Sequence, residues 1–124
     1  MKLLIVDDSL IVRNAIERSV HNGQISEVIR AANGAEAVTQ YRDHQPELVT
    51  MDLTMPELDG LEAIAEIQNI GTASILVISA LNSHKMALEA IQRGACGFLT
   101  KPFTEEEVSD ALDKLVAHAA SRGA

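Results

Sequence analysis

Asp52 stands at the end of a short apolar run, Leu48-Val49-Thr50-Met51, and a helix-starting signal follows within a few residues. A carboxylate at a strand end, in the loop before a helix, is where α/β proteins place chemistry. Taken alone, such an aspartate can equally cap its strand and face water. Three other apolar runs also end in polar residues: Leu3 to Val6 in Asp7-Asp8, Ile75 to Ile78 in Ser79, and Gly97 to Thr100 in Lys101. In a parallel sheet the C-terminal strand ends share one edge, so these five side chains converge there. Three aspartates on adjacent strand ends lie about 5–7 Å apart, and each pair repels by roughly 2–3 kcal/mol at an effective dielectric of 20. Protonation or a cation must relieve that repulsion. A small, exposed, all-oxygen site suits Mg²⁺. Zinc would require His or Cys, and His21, His44, His84 and His118 fall on helices or helix ends instead. Carboxylate, divalent cation, the Lys101 ammonium and the Ser79 hydroxyl together can receive a phosphoryl group on oxygen. The carboxylate attacks, metal and ammonium take up charge, and the hydroxyl donates a hydrogen bond.

The elements that must position this set can be read in order. Leu3 to Val6 is a continuous apolar run, as in a strand buried on both faces. Val12, Ile16 and Val20 recur at helical spacing, which predicts a helix from Ser9 to about His21, closed by Asn22-Gly23. A strand over Glu27 to Ala32 and a helix from Gly34 to about Gln45, with Ala37, Val38 and Tyr41 inward, follow. Pro46 stops that helix. After the strand Leu48 to Met51 comes a loop marked by Pro56. Asp59 with Glu62 then forms a capping box for a helix from Gly60 to Ile70, burying Ala63, Ile64 and Ile67. Gly71 precedes the strand Ile75 to Ile78, and Ser83 to Arg93 is read as a helix with Ala87, Ala90 and Ile91 inward. Gly94 ends that helix, where a left-handed residue is favoured. The short strand Gly97 to Thr100 is followed by a Thr104/Glu107 capping box. Val108, Ala111, Leu112, Leu115, Val116 and Ala119 then mark the most regular amphipathic helix. Cys96, between Ala95 and Gly97, reads as a small packing residue, and Phe103 as packing where the last helix begins. Strands alternating with helices imply a parallel sheet covered on both faces.

A chain of 124 residues makes one domain, over residues 1–124, and no apolar run approaches the length that spans a bilayer. Asp7-Asp8 follows Leu3 to Val6 too soon for a signal peptide. The lone cysteine excludes an internal disulfide and fits a reducing compartment. A formal charge of −8 without any basic cluster argues against a nucleic-acid surface. A cytoplasmic, acidic single domain is expected.

At four sites the chain resembles a known family: Val6-Asp7-Asp8-Ser9, Met51-Asp52-Leu53-Thr54-Met55-Pro56 with Asp59-Gly60, Ile78-Ser79-Ala80, and Phe98-Leu99-Thr100-Lys101-Pro102-Phe103. Over essentially its whole length it is similar to the response-regulator receiver domains of two-component signalling, on the plan of the single-domain chemotaxis regulators. The resemblance implies a doubly wound (βα)5, flavodoxin-like fold with strand order 2-1-3-4-5. It implies that Asp52 accepts phosphate from the phosphohistidine of a sensor histidine kinase or phosphotransfer protein. Asp8 and Asp52 would bind Mg²⁺ directly, Asp7 through water, and the backbone carbonyl of Thr54 would complete the protein's share. Ser79 and Phe98 match the hydroxyl and aromatic that rearrange on phosphorylation, and Lys101-Pro102 matches a cis peptide. With no residues left for a DNA-binding domain, output is expected through a partner protein on the face of the fourth helix, fifth strand and fifth helix.

Two positions depart from the chemotaxis pattern. Thr54 stands where an Asn is frequent and Leu81 where an acid is frequent, which bears on phosphoryl lifetime and on any phosphatase. Three other readings stay open: the receiver of a longer regulator, an aspartyl-phosphate phosphatase, and a flavodoxin-like electron carrier. The phosphatase would need a second aspartate where Thr54 stands. In the carrier, Asp7-Asp8 would repel the cofactor's phosphate.

Overall fold

The computed structural model describes residues 1–55, 59–80 and 84–122. Pro56, Leu81 and Ser83, which the sequence reading used, lie outside the described residues. Five strands alternate with five helices: β1 (Lys2–Val6), α1 (Leu10–Arg18), β2 (Glu27–Ala31), α2 (Gly34–His44), β3 (Leu48–Met51), α3 (Gly60–Ile70), β4 (Ser74–Ser79), α4 (His84–Gln92), β5 (Ala95–Thr100) and α5 (Glu105–Arg122). The strands form one parallel sheet in the order β2-β1-β3-β4-β5. The chain leaves β1 for β2 on one side and returns to place β3 on the other. β1 and β3 therefore flank the point where strand order reverses, and the crevice at their C-terminal ends is the natural ligand site of such a sheet.

Two apolar layers cover the sheet, as the unbroken apolar strands require. On one face Leu4, Val6, Val49, Met51, Ile75 and Val77 meet Ala37 and Tyr41 of α2, Ala63, Ile64 and Ile67 of α3, and Ala90 of α4. On the other, Leu3, Ile5, Leu48, Leu76 and Ile78 meet Ile16 of α1 and Val108, Leu112, Leu115 and Val116 of α5. Helix starts follow their caps. The side chains of Ser9, Asn33 and Asp59 accept from the N–H groups of Val12, Glu36 and Glu62, and Thr104 and Glu107 bond reciprocally at the head of α5.

Four expectations need correction. α1 stops at Arg18 rather than near His21, because Ser19 turns its hydroxyl back onto the Ala15 carbonyl and its N–H to Ile16, which tightens the last turn. β5 begins at Ala95, two residues early, because Ile75 pairs with Ala95 while Leu76 pairs with Gly97. Cys96 is the extra residue of that bulge, so it is exposed instead of packing inward. Ile91 is also exposed, at 46%. The inward stripe of α4 runs through Met86 and Ala90, and the residue after Ala90 lies about 100° further round the helix. Gly94 does have a positive φ, 116°, as expected of the residue that closes this helix.

Candidate functional site

β1 and β3 end side by side, with Val6 paired to Met51. The backbone N–H of Asp52 donates to Val6 and that of Asp7 to Ala31, so the ladder holds both residues at its last rung. Asp7 and Asp52 are buried, whereas Asp8 is exposed. Carboxylate oxygens of the three lie within 4.8 Å of one another, the single acidic or metal-ligating cluster found among the described residues. Lys101, half-buried just past β5, reaches into it. Its Nζ is 2.6 Å from Asp7 Oδ2 and 3.5 Å from Asp52 Oδ2.

Asp7 shows what burying a carboxylate here costs. Burial pushes its carboxyl above the usual 3.8, and the Asp52 charge adds to the rise. The hydrogen bonds from Lys101 and from the Ser9 N–H pull the other way without overcoming burial. A second cation at this point would therefore be favoured.

The sequence reading placed Ser79 and Thr54 here as well. Ser79 ends β4, wholly buried, and its carbonyl accepts the Lys101 N–H at 2.9 Å, which anchors the lysine's backbone beside the site. Thr54 donates to Asp52 Oδ1 through its N–H at 3.3 Å and its hydroxyl at 3.4 Å. Phe98, half-buried, pairs with Val77, while Ser79 pairs with Thr100. Phe98 is thus diagonal to Ser79 on the neighbouring strand and packs against the core layer of α2, α3 and α4. The Lys101-Pro102 peptide is cis. Arg13 escaped the sequence reading, and Gly60 entered it only within the Asp59-Gly60 resemblance and as the first residue of α3. Gly60 lies against the Asp52 backbone, and Arg13 of α1 donates from Nη1 to the Asp7 carbonyl at 2.7 Å. Neither contact follows from a motif, because each side chain or Cα meets backbone brought near by the fold.

A hollow of about 510 Å³ opens beside the cluster, lined by Asp8, Thr54, Met55, Asp59 and Met86 among others. The donor set fits Mg²⁺. Two oxygens on one octahedral Mg²⁺ are no more than about 4.2 Å apart, so a cluster spanning 4.8 Å needs only a small closure, or one acid acting through water.

The family model of the response regulator receiver domain matches residues 3–113. This chain belongs to that family. Among relatives, the chemotaxis protein CheY of Listeria monocytogenes is 43% identical over 115 residues, covering 92% of this chain and 97% of that protein. That of Bacillus subtilis is 43% identical over 114 residues, with 91% and 95% covered. The receiver also resembles part of a longer protein. A protein-glutamate methylesterase/protein-glutamine glutaminase of Halobacterium salinarum is 40% identical over 118 residues, which make up 34% of its length. Among solved structures, the CheX-CheY complex with BeF3 and Mg²⁺ from Borrelia burgdorferi matches with a TM-score of 0.87 and 28% identity, covering 94% of this chain and 89% of that one. Receivers of this kind are signalling modules rather than classical enzymes. No helix of this receiver, among the described residues, is long and apolar enough to cross a membrane.

Proposed function

We propose that this receiver takes a phosphoryl group from the phosphohistidine of a sensor histidine kinase or phosphotransfer protein onto Asp52, and passes the signal to a partner protein, in chemotaxis or a similar behaviour. The observation that carries the reading is the position of Asp52. It is a buried carboxylate within 4.8 Å of two others, 3.5 Å from a lysine ammonium, at the switch point of the sheet. An Asp52 oxygen forms the new bond to phosphorus as the bond to the donor imidazole nitrogen breaks. Lys101 then trades a carboxylate for a phosphoryl oxygen, Ser79 donates to another, and the Thr54 N–H keeps the acceptor carboxylate oriented. Asp7, Asp8, Asp52 and the Thr54 carbonyl would hold Mg²⁺, which when bound supplies charge neutralisation on the transferred group. Movement of Lys101 and Ser79 toward the phosphoryl group pulls on β4 and β5. The face of α4, β5 and α5, with Phe98 at its centre, carries the change outward to the effector. Leu88 and Ile91 are apolar residues left exposed on α4.

The match to part of a longer methylesterase supports one alternative context, in which the same module regulates an attached output domain. The phosphoacceptor chemistry is identical in both. Incubation with phosphoramidate and Mg²⁺ tests it: the wild type should gain one phosphoryl mass and Asp52→Asn none. An Asn variant labelled at the wild-type rate would refute the assignment.

A further inference from the structure

Asp8 is the exposed member of the acidic cluster, and the bonds that fix the turn around it are made by its neighbours. On one side the Ser9 N–H donates to Asp7 Oδ1 at 3.0 Å, which orients the peptide between Asp8 and Ser9. On the other, Arg13 Nη1 donates to the Asp7 carbonyl at 2.7 Å, which orients the peptide between Asp7 and Asp8. Asp7 itself is tied to Ala31 through its N–H. With both flanking peptide planes fixed, the direction of the Asp8 Cα–Cβ bond is set, and only the side-chain torsions remain to be chosen.

We infer that Arg13 is a positioning residue for the cation site: it locks the Asp7-Asp8 peptide, so that the Asp8 Cα–Cβ bond is held toward the cluster and the carboxylate has fewer conformations to search before it meets Mg²⁺. This rests on the reading of the acidic cluster as a Mg²⁺ site. Arg13 touches no carboxylate of the cluster in any contact described; it acts through the backbone. Partners one step removed from a metal commonly change its affinity by about 10–100-fold when lost. A single peptide bond held by one half-buried arginine belongs at or below the low end of that range.

Electrostatics makes the inference sharp, because its sign is opposite. Arg13 is a cation close to a site for a divalent cation, and removing it without any loss of positioning must leave Mg²⁺ affinity unchanged or strengthen it. Loss of positioning weakens it. The experiment is a Mg²⁺ titration followed by the backbone amide NMR signals of Asp8 and Asp52, on wild type, Arg13→Met, Arg13→Lys and Asp8→Asn. Arg13→Met is expected to weaken binding by about three- to tenfold, and Arg13→Lys, which keeps charge and a donor, to recover part of that. Arg13→Met binding Mg²⁺ as tightly as wild type, or more tightly, overturns the inference. Asp8→Asn separates the two readings: unchanged Mg²⁺ binding in that variant means the cluster itself is not the site. Should Arg13→Met fail to fold, Arg13→Gln carries the same expectation, its amide being too short to span to the Asp7 carbonyl.

Discussion

Gly60 sits so close to Asp52 that a Cβ built on it would lie 2.1 Å from the Asp52 carbonyl oxygen and 2.7 Å from the Leu53 Cα. Both obstacles are backbone, so no rotamer change can relieve the clash. The head of α3 is thereby pressed against the peptide that carries the acceptor, with the Gly60 N–H donating to Leu53 at 3.3 Å.

Gly60→Ala should therefore destabilise the fold by about 2–3 kcal/mol and reduce labelling of Asp52 in whatever remains folded. Gly23→Ala is the control, since nothing lies within 4 Å of the point where its methyl group would stand. It should be neutral or mildly stabilising. Urea denaturation of both variants decides this, and equal stabilities would mean that the α3 entrance adapts freely.

Thr50 offers a change in the other direction. Its Oγ1 is buried in the middle of β3 and has no hydrogen-bond partner among the described residues. Its registered neighbours are Ile5 and Leu76. Thr50→Val keeps the shape and removes the unpaired hydroxyl, so a gain of about 1–2 kcal/mol is expected. A loss of stability on denaturant titration would show that the hydroxyl is satisfied by buried water.

The pH dependence of stability should carry the mark of Asp7. Its carboxyl is raised above 3.8 by burial, so between 3.8 and the folded value the native state binds more protons than the unfolded chain. Stability from this group is thus fully present below 3.8 and falls as pH rises through the folded value. The stability of wild type relative to Asp7→Asn should decrease between acid and neutral pH in the absence of Mg²⁺. Millimolar Mg²⁺ should offset the decrease by binding the ionised cluster. A difference that stays flat with pH would mean Asp7 ionises as it does in the unfolded chain.

Phosphoryl lifetime should depend on Thr54 and Leu81. The Thr54 hydroxyl is engaged with Asp52 Oδ1 at 3.4 Å, and Leu81 carries no group able to accept a hydrogen bond. Hydrolysis needs a water held in line with the new bond, and this pair provides little to hold it. Decay should be slow, with termination left to a phosphatase or to back-transfer. The Thr54→Asn, Leu81→Glu double variant should lose its phosphate about tenfold faster in excess Mg²⁺. A decay no faster than wild type would remove these two positions from control of the lifetime.

What the sequence by itself determined were the features whose signal is local or periodic. Apolar runs placed β1, β3 and β4, since strands buried on both faces must be apolar throughout. Caps placed the starts of α3 and α5, since a Ser, Thr or Asp side chain meets an N–H only three residues on. Polar residues at four strand ends sufficed to bring Asp7, Asp8, Asp52, Ser79 and Lys101 to one edge, because all parallel strands end on the same side. Tertiary structure alone decided contacts made across the fold. The bulge that turns Cys96 outward depends on register with β4, and the stripe of α4 that buries Ala90 but not Ile91 depends on where the sheet lies. Lys101 choosing Asp7 at 2.6 Å over Asp52 at 3.5 Å, Gly60 under the Asp52 carbonyl, and Arg13 on the Asp7 carbonyl have no sequence signature. In each of these a side chain or a Cα meets a group whose position is set by packing between elements remote in the chain or on either side of a loop.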